Sequence, residues 1–346
     1  MNAGNWYLRH ISTDPTGDQM KRRKFIALGG AAATWPLALH AQEPMPIIGV
    51  LDFATSDVYP QERLAFREGL REAGFIEGQN VAIEYLAAEG VYTRLPAMAA
   101  YLVRRKVAVI VAVGALAPAR VAKAATSTIP IVFAMGGNPV KFGLVASLSR
   151  PGGNVTGVTS FGTELSGKRL ELLCEMVPEL TTIAYLTGGP GFVSFEEESA
   201  NMLAAARAIG RQLIVVSIPS NLDIEVAFTS LVQGPAKALI VGVTPHLFDA
   251  KQKILELALF HKLPGIYPSP RWCVDGGLMS YSADYLSIYR QLASQYVGKI
   301  LNGTKPADLP VQQPTTFQLA INLRTAKALG VTVPPLLLAR ADTTIE

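Results

Sequence analysis

Short runs of β-branched and other apolar residues alternate along the chain with longer segments in which apolar residues recur every three or four positions. This alternation is typical of parallel βαβ units rather than of a sandwich or a helical bundle. The pattern in the first half predicts strands at 47–51, 81–85, 107–113 and 129–133, and helices at 62–73, 94–105 and 118–125. We expect these elements to form one open-sheet domain.

The same alternation starts again after the Pro- and Gly-rich loop 150–154. It predicts helices at 168–177, 195–209, 224–232 and 248–261, and strands at 183–187, 213–217, 238–243 and 265–267. From residue 276 onward, the pattern predicts a strand at 278–282, a helix at 286–301 and a strand–helix pair within 317–329. This last section is too short to fold alone, so we expect it to complete the two preceding domains.

The first 41 residues have a different character. A cationic segment at 21–24 precedes an apolar, Gly- and Ala-rich stretch at 25–39, and the small residue Ala41 precedes Gln42. This order is typical of a signal peptide that is cleaved after Ala41, with Met20 as an alternative start. The adjacent Arg22 and Arg23 leave both the Sec and the twin-arginine export routes open. The predicted location of the mature protein is the periplasm.

The predicted cleavage removes most of the excess positive charge. The whole chain has 31 Lys and Arg against 27 Asp and Glu, whereas residues 42–346 have 26 against 25. A near-neutral protein lacks the general positive potential that binds phosphate backbones. No uninterrupted apolar run reaches the roughly 18 to 20 residues of a spanning helix. We therefore expect neither a nucleic-acid partner nor a transmembrane helix.

The sequence at 162–169, GTELSGKR, resembles a phosphate-binding loop between a strand and a helix. Arg169 stands where a Ser or Thr hydroxyl would ligate Mg²⁺, and Glu164 would place a carboxylate beside the phosphate. We interpret this segment as the first turn of a helix and predict no nucleotide or other cofactor.

Other catalytic patterns are also weak. Only His246 and His261 remain after cleavage, and Gly157 precedes Ser160 one residue too early for a nucleophile elbow. Cys174 and Cys273 lack metal-like spacing, and either one disulfide or two free thiols would suit an exported protein. The sequence therefore predicts no catalytic residues, no metal site and no enzyme.

Small and polar residues recur where predicted strands end. In open parallel sheets, ligands bind outside these carboxyl ends, where backbone N–H groups and helix N-termini are free. Phe53 and Tyr281 add aromatic faces, the second on a predicted connection between domains. The predicted ligand-binding residues are Phe53, Thr55, Ser56, Gly114, Ala115, Gly137, Asn138, Ser160, Thr187, Gly188, Thr244, Ser269 and Tyr281.

Several longer strings are specific when taken together. They are FREGL at 66–70 with GFIEG at 74–78, ATSTIPIVF at 125–133, SRPGGNVTGV at 149–158, GKRLELL at 167–173, GGLMSY at 276–281, and KPADLPV at 305–311 with AKALG at 326–330. Over nearly its whole length the sequence resembles the ABC transporter substrate-binding family that includes tryptophan and phenylalanine binding proteins.

The resemblance implies a type I periplasmic-binding-protein fold, an α/β architecture of two Rossmann-like lobes with parallel sheets and a three-crossing hinge. We expect the crossings near 155–159, 280–282 and 309–316. After the N-terminal extension and signal peptide at 1–41, the expected N-terminal lobe comprises 42–156 and 283–310. The expected C-terminal lobe comprises 157–282 and 311–346.

The implied function is capture of a small aromatic or amino-acid-like solute between two lobes and its delivery to the permease and ATPase subunits of an ABC importer. We expect a monomer. One alternative is a periplasmic ligand-sensing module that signals to a membrane receptor. A second alternative, a periplasmic enzyme, is disfavoured by the scarcity of His and of paired carboxylates.

One position departs from the family pattern. Asn138 stands where the family usually has Asp in Gly-Asp-Pro-Val. An Asp there would suit a ligand ammonium group, whereas Asn138 carries no charge. The sequence therefore leaves open whether the ligand is a free amino acid or a neutral or carboxylate-bearing aromatic compound.

Overall fold

The computed structural model describes residues 45–54, 60–160, 162–189, 195–219 and 223–346. The predicted signal peptide lies outside the described residues, and so do the predicted ligand-binding residues Thr55 and Ser56.

The first sheet has five parallel strands in the order β2-β1-β3-β4-β5. The strands are β1 (Ile47–Asp52), β2 (Ala82–Ala87), β3 (Val109–Val113), β4 (Ile131–Met135) and β5 (Val155–Thr159). Helix α1 (Pro60–Glu72) packs on one face, whereas α2 (Leu95–Arg104) and α3 (Leu116–Ala125) pack on the other. We call this sheet with its helices the first lobe.

Strand β5 is absent from the strands that the sequence pattern predicts. Gly157, at its centre, weakens the strand signal but is required by the packing. It has a φ of +152°, and a Cβ atom there would lie 2.1 Å from the carbonyl oxygen of Phe133 on the neighbouring strand. The lobe boundaries at 156, 283 and 310 stay predictions, and β5 pairs with the first sheet as far as Thr159.

The second sheet has seven strands in the order β12-β11-β10-β9-β8-β6-β7. The strands are β6 (Thr182–Thr187), β7 (Gln212–Ser217), β8 (Leu239–Val241), β9 (Gly265–Tyr267), β10 (Met279–Ala283), β11 (Phe317–Asn322) and β12 (Thr343–Ile345). Only the β10–β11 pair is antiparallel among these described strands. We call this sheet with its helices the second lobe.

Helices cover both faces of the second sheet. They are α4 (Gly162–Met176), α5 (Phe195–Ala208), α6 (Ile224–Gln233), α7 (Pro245–Asp249), α8 (Lys251–Phe260), α9 (Pro270–Val274), α12 (Leu323–Leu329) and α13 (Pro335–Ala339). Helix α4 begins six residues before its predicted start, and the predicted helix 248–261 is divided at Ala250. The short elements α9, α13 and β12 lack enough turns or alternations to give a periodic signal.

The chain crosses between the lobes three times. It leaves β5 for α4, leaves β10 for α10 (Tyr285–Gln291), and returns after residue 309 to β11. Helix α10 continues through a π-helical segment (Leu292–Val297) into α11 (Gly298–Leu301) and packs with α1 on the first sheet.

The crossings are hydrogen-bonded to one another. The N–H of Gln312 donates to the carbonyl of Gly157 at 3.1 Å, and the N–H of Thr159 donates to the carbonyl of Gln312 at 3.0 Å. The N–H of Asp284 donates to the carbonyl of Thr316 at 3.2 Å. The three connections therefore form one hinge.

The cysteines and the helices of the described residues bear on two further points of the sequence analysis. Cys174 and Cys273 are both free thiols, the second fully buried. None of the helices in the described ranges combines the length and apolar character needed to cross a membrane.

Candidate ligand-binding site

A pocket of about 190 Å³ lies between the lobes, where the carboxyl ends of their strands face each other. The first lobe and the α10 crossing contribute Glu62, Tyr92, Gly114, Ala115, Leu116, Ala117, Ala134, Met135, Gly136, Phe142, Val158, Ser160, Tyr285, Ile288 and Tyr289. The second lobe contributes Leu165, Arg169, Glu198, Val243, Thr244, Phe248 and Ser269.

Five of the predicted residues line this pocket: Gly114, Ala115, Ser160, Thr244 and Ser269. Each follows a strand, as the rule for parallel sheets predicts. Gly114 has a φ of +86°, and a Cβ atom there would lie 2.7 Å from Oδ1 of Asp52. Only glycine therefore allows the chain to turn at this point without disturbing the pocket wall.

Three helices begin at the pocket wall. Ala115, Thr244 and Ser269 are the N-cap residues of α3, α7 and α9, and none makes a side-chain capping hydrogen bond. The Oγ1 atom of Thr244 is buried without a hydrogen-bond partner among the described residues. First-turn N–H groups lack partners within their helices, so this wall can donate hydrogen bonds to a polar ligand group.

Aromatic rings form much of the remaining wall, which is largely apolar. Tyr92 and Phe142 come from the first lobe, Phe248 from the second, and Tyr285 and Tyr289 from α10. Tyr285 follows β10 by two residues, as Ser269 follows β9, so the strand-end rule could have found it. The other four rings lie on helices and loops away from strand ends, and the rule could not predict them.

Three charged residues also reach the pocket. Arg169 is only 2% exposed, and its Nε donates to the carbonyl of Tyr281 on β10 at 2.7 Å. Burial lowers the pKa of Arg169. Glu198 accepts a hydrogen bond from the hydroxyl of Tyr185 at 3.1 Å.

Glu62, in the first turn of α1, is the third charged residue. Its Oε2 atom is buried without a hydrogen-bond partner among the described residues. Burial raises the pKa of Glu62, while its own backbone N–H and the positive charge of Arg271 act in the opposite direction. Within the described ranges, no group of three or more His, Cys, Asp and Glu side chains could hold a metal ion.

Two predicted aromatic residues lie outside the pocket lining. Phe53 is 2% exposed in the core of the first lobe, and its ring centroid lies 4.3 Å from that of Tyr92. Phe53 therefore supports a pocket residue from behind. Tyr281 packs against the core of the second lobe and stacks on Phe317, with the two ring centroids 5.9 Å apart.

Four smaller predicted residues also lie outside the lining. Gly137 lies beside the ring of Phe142, whereas Thr187 and Gly188 are buried at the end of β6. Oδ1 of Asn138 accepts hydrogen bonds from the N–H groups of residues 140 and 141 at 3.0 and 3.2 Å. Asn138 thus makes local hydrogen bonds outside the pocket lining, where its side chain does not contact the pocket.

The model of one protein family, the ABC transporter substrate binding proteins, matches residues 47–345. The chain belongs to this family. The likeness covers both sheets and all three crossings of this substrate-binding protein, and it confirms the resemblance seen in the sequence strings. The architecture of two α/β lobes with a three-crossing hinge is the type I periplasmic-binding-protein fold.

Two relatives that are 25% identical are described with aromatic amino acids as ligands. A tyrosine-binding protein of Clostridioides difficile (strain R20291) is 25% identical over 285 residues, which are 82% of this chain and 81% of that protein. The structure of an ABC domain from Streptococcus pneumoniae in complex with L-Trp has 25% identity and a TM-score of 0.79, covering 87% of this chain and 99% of that one.

A third similar structure was solved without a ligand. It is a ligand-free, open substrate-binding protein with adhesive properties from Clostridium difficile, with 24% identity, a TM-score of 0.66, and coverage of 87% of this chain and 100% of that one. The substrate-binding protein described here superimposes better on the L-Trp complex than on this open structure, although the identities are nearly equal.

Proposed function

We propose that this substrate-binding protein captures one small aromatic, amino-acid-like solute between its lobes and delivers it to the permease of an ABC importer. The observation that carries the proposal is the interlobe pocket, which combines aromatic rings with a few buried charged and polar groups. Such a combination suits a ligand that has an apolar ring and a polar end.

The pocket volume supports a small ligand. A cavity of about 150 Å³ is large enough to hold benzene. At about 190 Å³ this pocket has room for one ring system and a short polar group. A disaccharide or a peptide would not fit without further separation of the lobes.

Delivery depends on lobe closure. A ligand that contacts Tyr92 on the first lobe and Phe248 on the second binds the closed arrangement more tightly than the open one. Its differential affinity for the two arrangements shifts the population toward closure. We propose that the closed protein, a monomer exported to the periplasm, is the form that the permease and ATPase subunits recognise.

Calorimetric titration of the purified protein with L-tryptophan, L-tyrosine and L-phenylalanine tests the proposal, with L-leucine and glucose as comparison solutes. We expect one aromatic amino acid bound per chain and recovered unchanged. Ligand at 100 times its Kd should add about 2.7 kcal/mol to the free energy of unfolding and raise Tm by a few degrees. A folded protein that binds none of the three aromatic compounds, or that converts one of them, would contradict the proposal.

A pair of matched variants locates the binding. Tyr92→Ala removes a pocket ring and should weaken binding about tenfold. Tyr101→Ala is the control because Tyr101 is a comparably exposed tyrosine on α2, outside the pocket lining. Equal affinities of the two variants would place the ligand elsewhere.

A further inference from the structure

Two ionisable side chains enter the pocket from opposite lobes without a salt bridge to neutralise them. Glu62 comes from α1 of the first lobe, and Arg169 comes from α4 of the second. Neither forms an ion pair within 4.0 Å among the described residues. At longer range, and against the larger effect of burial, Arg271 lowers the pKa of Glu62 and Glu198 raises the pKa of Arg169. A charge that is shielded from solvent without a salt bridge is costly, so each side chain can gain from a ligand group of opposite sign.

Glu62 is the carboxylate that remains available. Its Oε2 atom is shielded from solvent and receives no hydrogen bond from the described residues. The other pocket carboxylate, Glu198, already accepts a hydrogen bond from the hydroxyl of Tyr185. A ligand ammonium group, with three N–H donors, would satisfy the Glu62 carboxylate.

Arg169 is held in place by a single anchor. Its Nε donates to the carbonyl of Tyr281 at 2.7 Å, and this is the one hydrogen bond from its guanidinium to the described residues. The terminal Nη groups retain their donors, and a guanidinium presents such donors in the planar arrangement that a carboxylate accepts.

The hydroxyl of Tyr285 lies near both Glu62 and Arg169. Besides the dominant effect of burial, the charge of Arg169 lowers the pKa of Tyr285 and the charge of Glu62 raises it. Both side chains therefore lie within electrostatic range of one hydroxyl on the α10 crossing. A ligand between them would place its positive end beside Glu62 of the first lobe and its negative end beside Arg169 of the second.

We infer that the pocket recognises a zwitterion, with the ligand ammonium bound by Glu62 of the first lobe and the ligand carboxylate bound by Arg169 of the second. This inference rests on the proposed capture of an aromatic solute in the same pocket. It assigns the solute to the α-amino acids and excludes aromatic amines and aromatic acids as equal ligands. Because each charged contact belongs to a different lobe, only the complete zwitterion bridges the cleft with both contacts.

The test compares three compounds with one indole ring on the unmodified protein. L-Tryptophan carries both charges, tryptamine lacks the carboxylate, and indole-3-propionate lacks the ammonium. Losing one member of a buried charge pair weakens binding by about 30-fold or more. We expect both analogues to bind at least about 30-fold more weakly than L-tryptophan. If the protein prefers tyrosine, the same difference is expected between L-tyrosine and its analogues tyramine and 3-(4-hydroxyphenyl)propionate.

Variants then assign each charge to its residue. Glu62→Gln should reduce the affinity for L-tryptophan and for tryptamine, while the affinity for indole-3-propionate stays within about threefold, because that compound has no ammonium to lose. Arg169→Lys should reduce the affinity for the two carboxylate compounds and spare tryptamine. Glu72→Gln is the matched control because Glu72 lies exposed on the same helix, away from the pocket. Melting temperatures identify any variant that fails to fold, and the analogue series on the unmodified protein does not depend on the variants.

Each result bears on a distinct claim. Analogues that bind as tightly as the amino acids would overturn the zwitterion assignment but leave aromatic capture standing. Charge-dependent binding that Glu62→Gln and Arg169→Lys leave unchanged would overturn the assignment to these residues. Failure of every ring compound to bind would overturn the proposed function together with this inference.

Discussion

Replacing Asp52 measures how much a buried charge beside the pocket lowers the free energy of unfolding. Asp52 ends β1, is 4% exposed, and its Oδ1 accepts the N–H of Ala54 at 2.9 Å. Burial raises the pKa of Asp52 to about 6, against opposing effects of that N–H and of Arg63 and a reinforcing effect of Glu62. Asp52→Asn keeps the shape and the acceptor oxygen but removes the charge.

The magnitude follows from the difference between the folded and unfolded pKa values. A rise from 3.8 to about 6 makes the native state bind more protons than the unfolded state between those values. The free energy of unfolding therefore falls as pH rises through this range, by about 1.4 kcal/mol per unit of difference in pKa. At pH 7 the ionised Asp52 costs up to about 3 kcal/mol, which the Asn variant avoids. Near pH 4 the native Asp52 is neutral, while the unfolded chain is still partly ionised at this residue, so the difference should shrink to about 0.6 kcal/mol.

Urea unfolding at a series of pH values between 4 and 7.5 measures this difference, because the other titrating groups cancel between wild type and variant. Asp308→Asn removes an exposed carboxylate and should change the free energy of unfolding by less than about 0.5 kcal/mol at every pH. An Asp52→Asn variant that is less stable than wild type at pH 7, or a difference that does not vary with pH, would refute the reasoning. Either result would mean that neighbours such as Arg63 hold the carboxylate in its ionised form.

Four further predictions use the same protein. Phe53→Ala should lower the free energy of unfolding by about 3 to 5 kcal/mol, measured in urea, because it leaves a cavity in the first-lobe core. Tyr281→Ala should lower stability while calorimetric affinity for L-tryptophan stays within about threefold, since the ring packs on the second-lobe core. Glu62→Gln should raise the free energy of unfolding of the unliganded protein at pH 7, because burial disfavours the ionised carboxylate. Intact-mass analysis of exported protein should show Gln42 as the first residue, and a mass that includes residues 1–41 would contradict cleavage after Ala41.

Most of the fold could be predicted from the sequence because parallel strands buried on both faces give continuous apolar runs. Runs such as 109–113 and 183–187 are buried in the structure along almost their whole length. Strand β5 could not be predicted in this way, because its apolar run is interrupted by Gly157, whose role depends on the backbone of a neighbouring strand. That contact is a property of the assembled sheet and leaves no local pattern.

The pocket residues also differ in whether the sequence alone could predict them. Residues that follow strands, such as Gly114 and Ser160, could be predicted because sheet geometry brings the carboxyl ends together. The same rule also selected Thr187 and Gly188, since it locates the edge of the sheet but not which loops face the other lobe. Aromatic residues such as Tyr92 reach the pocket from outside the strands and depend on the packing of the lobes.

The charged pocket residues, by contrast, leave a signal that a strand-based reading overlooks. Arg169 lies in helical register with the buried Leu165, Leu172 and Met176 at spacings of four, three and four residues. An apolar stripe of this kind faces the core, so a charged residue in register with it is forced either into the core or to the end of the stripe. In βα units the helix starts beside the carboxyl end of the preceding strand. The N-terminal end of the apolar stripe therefore lies at the edge of the sheet where ligands bind.

Both pocket carboxylates obey the same rule. Glu62 lies four residues before the buried Phe66 and eight before Leu70, and Glu198 lies four residues before the buried Met202. Each charge thus begins a stripe whose remaining members are packed against a sheet, and the geometry of the βα unit directs it to the cleft. In α1 and α5, the charge that begins the apolar stripe is therefore a pocket residue although no motif surrounds it.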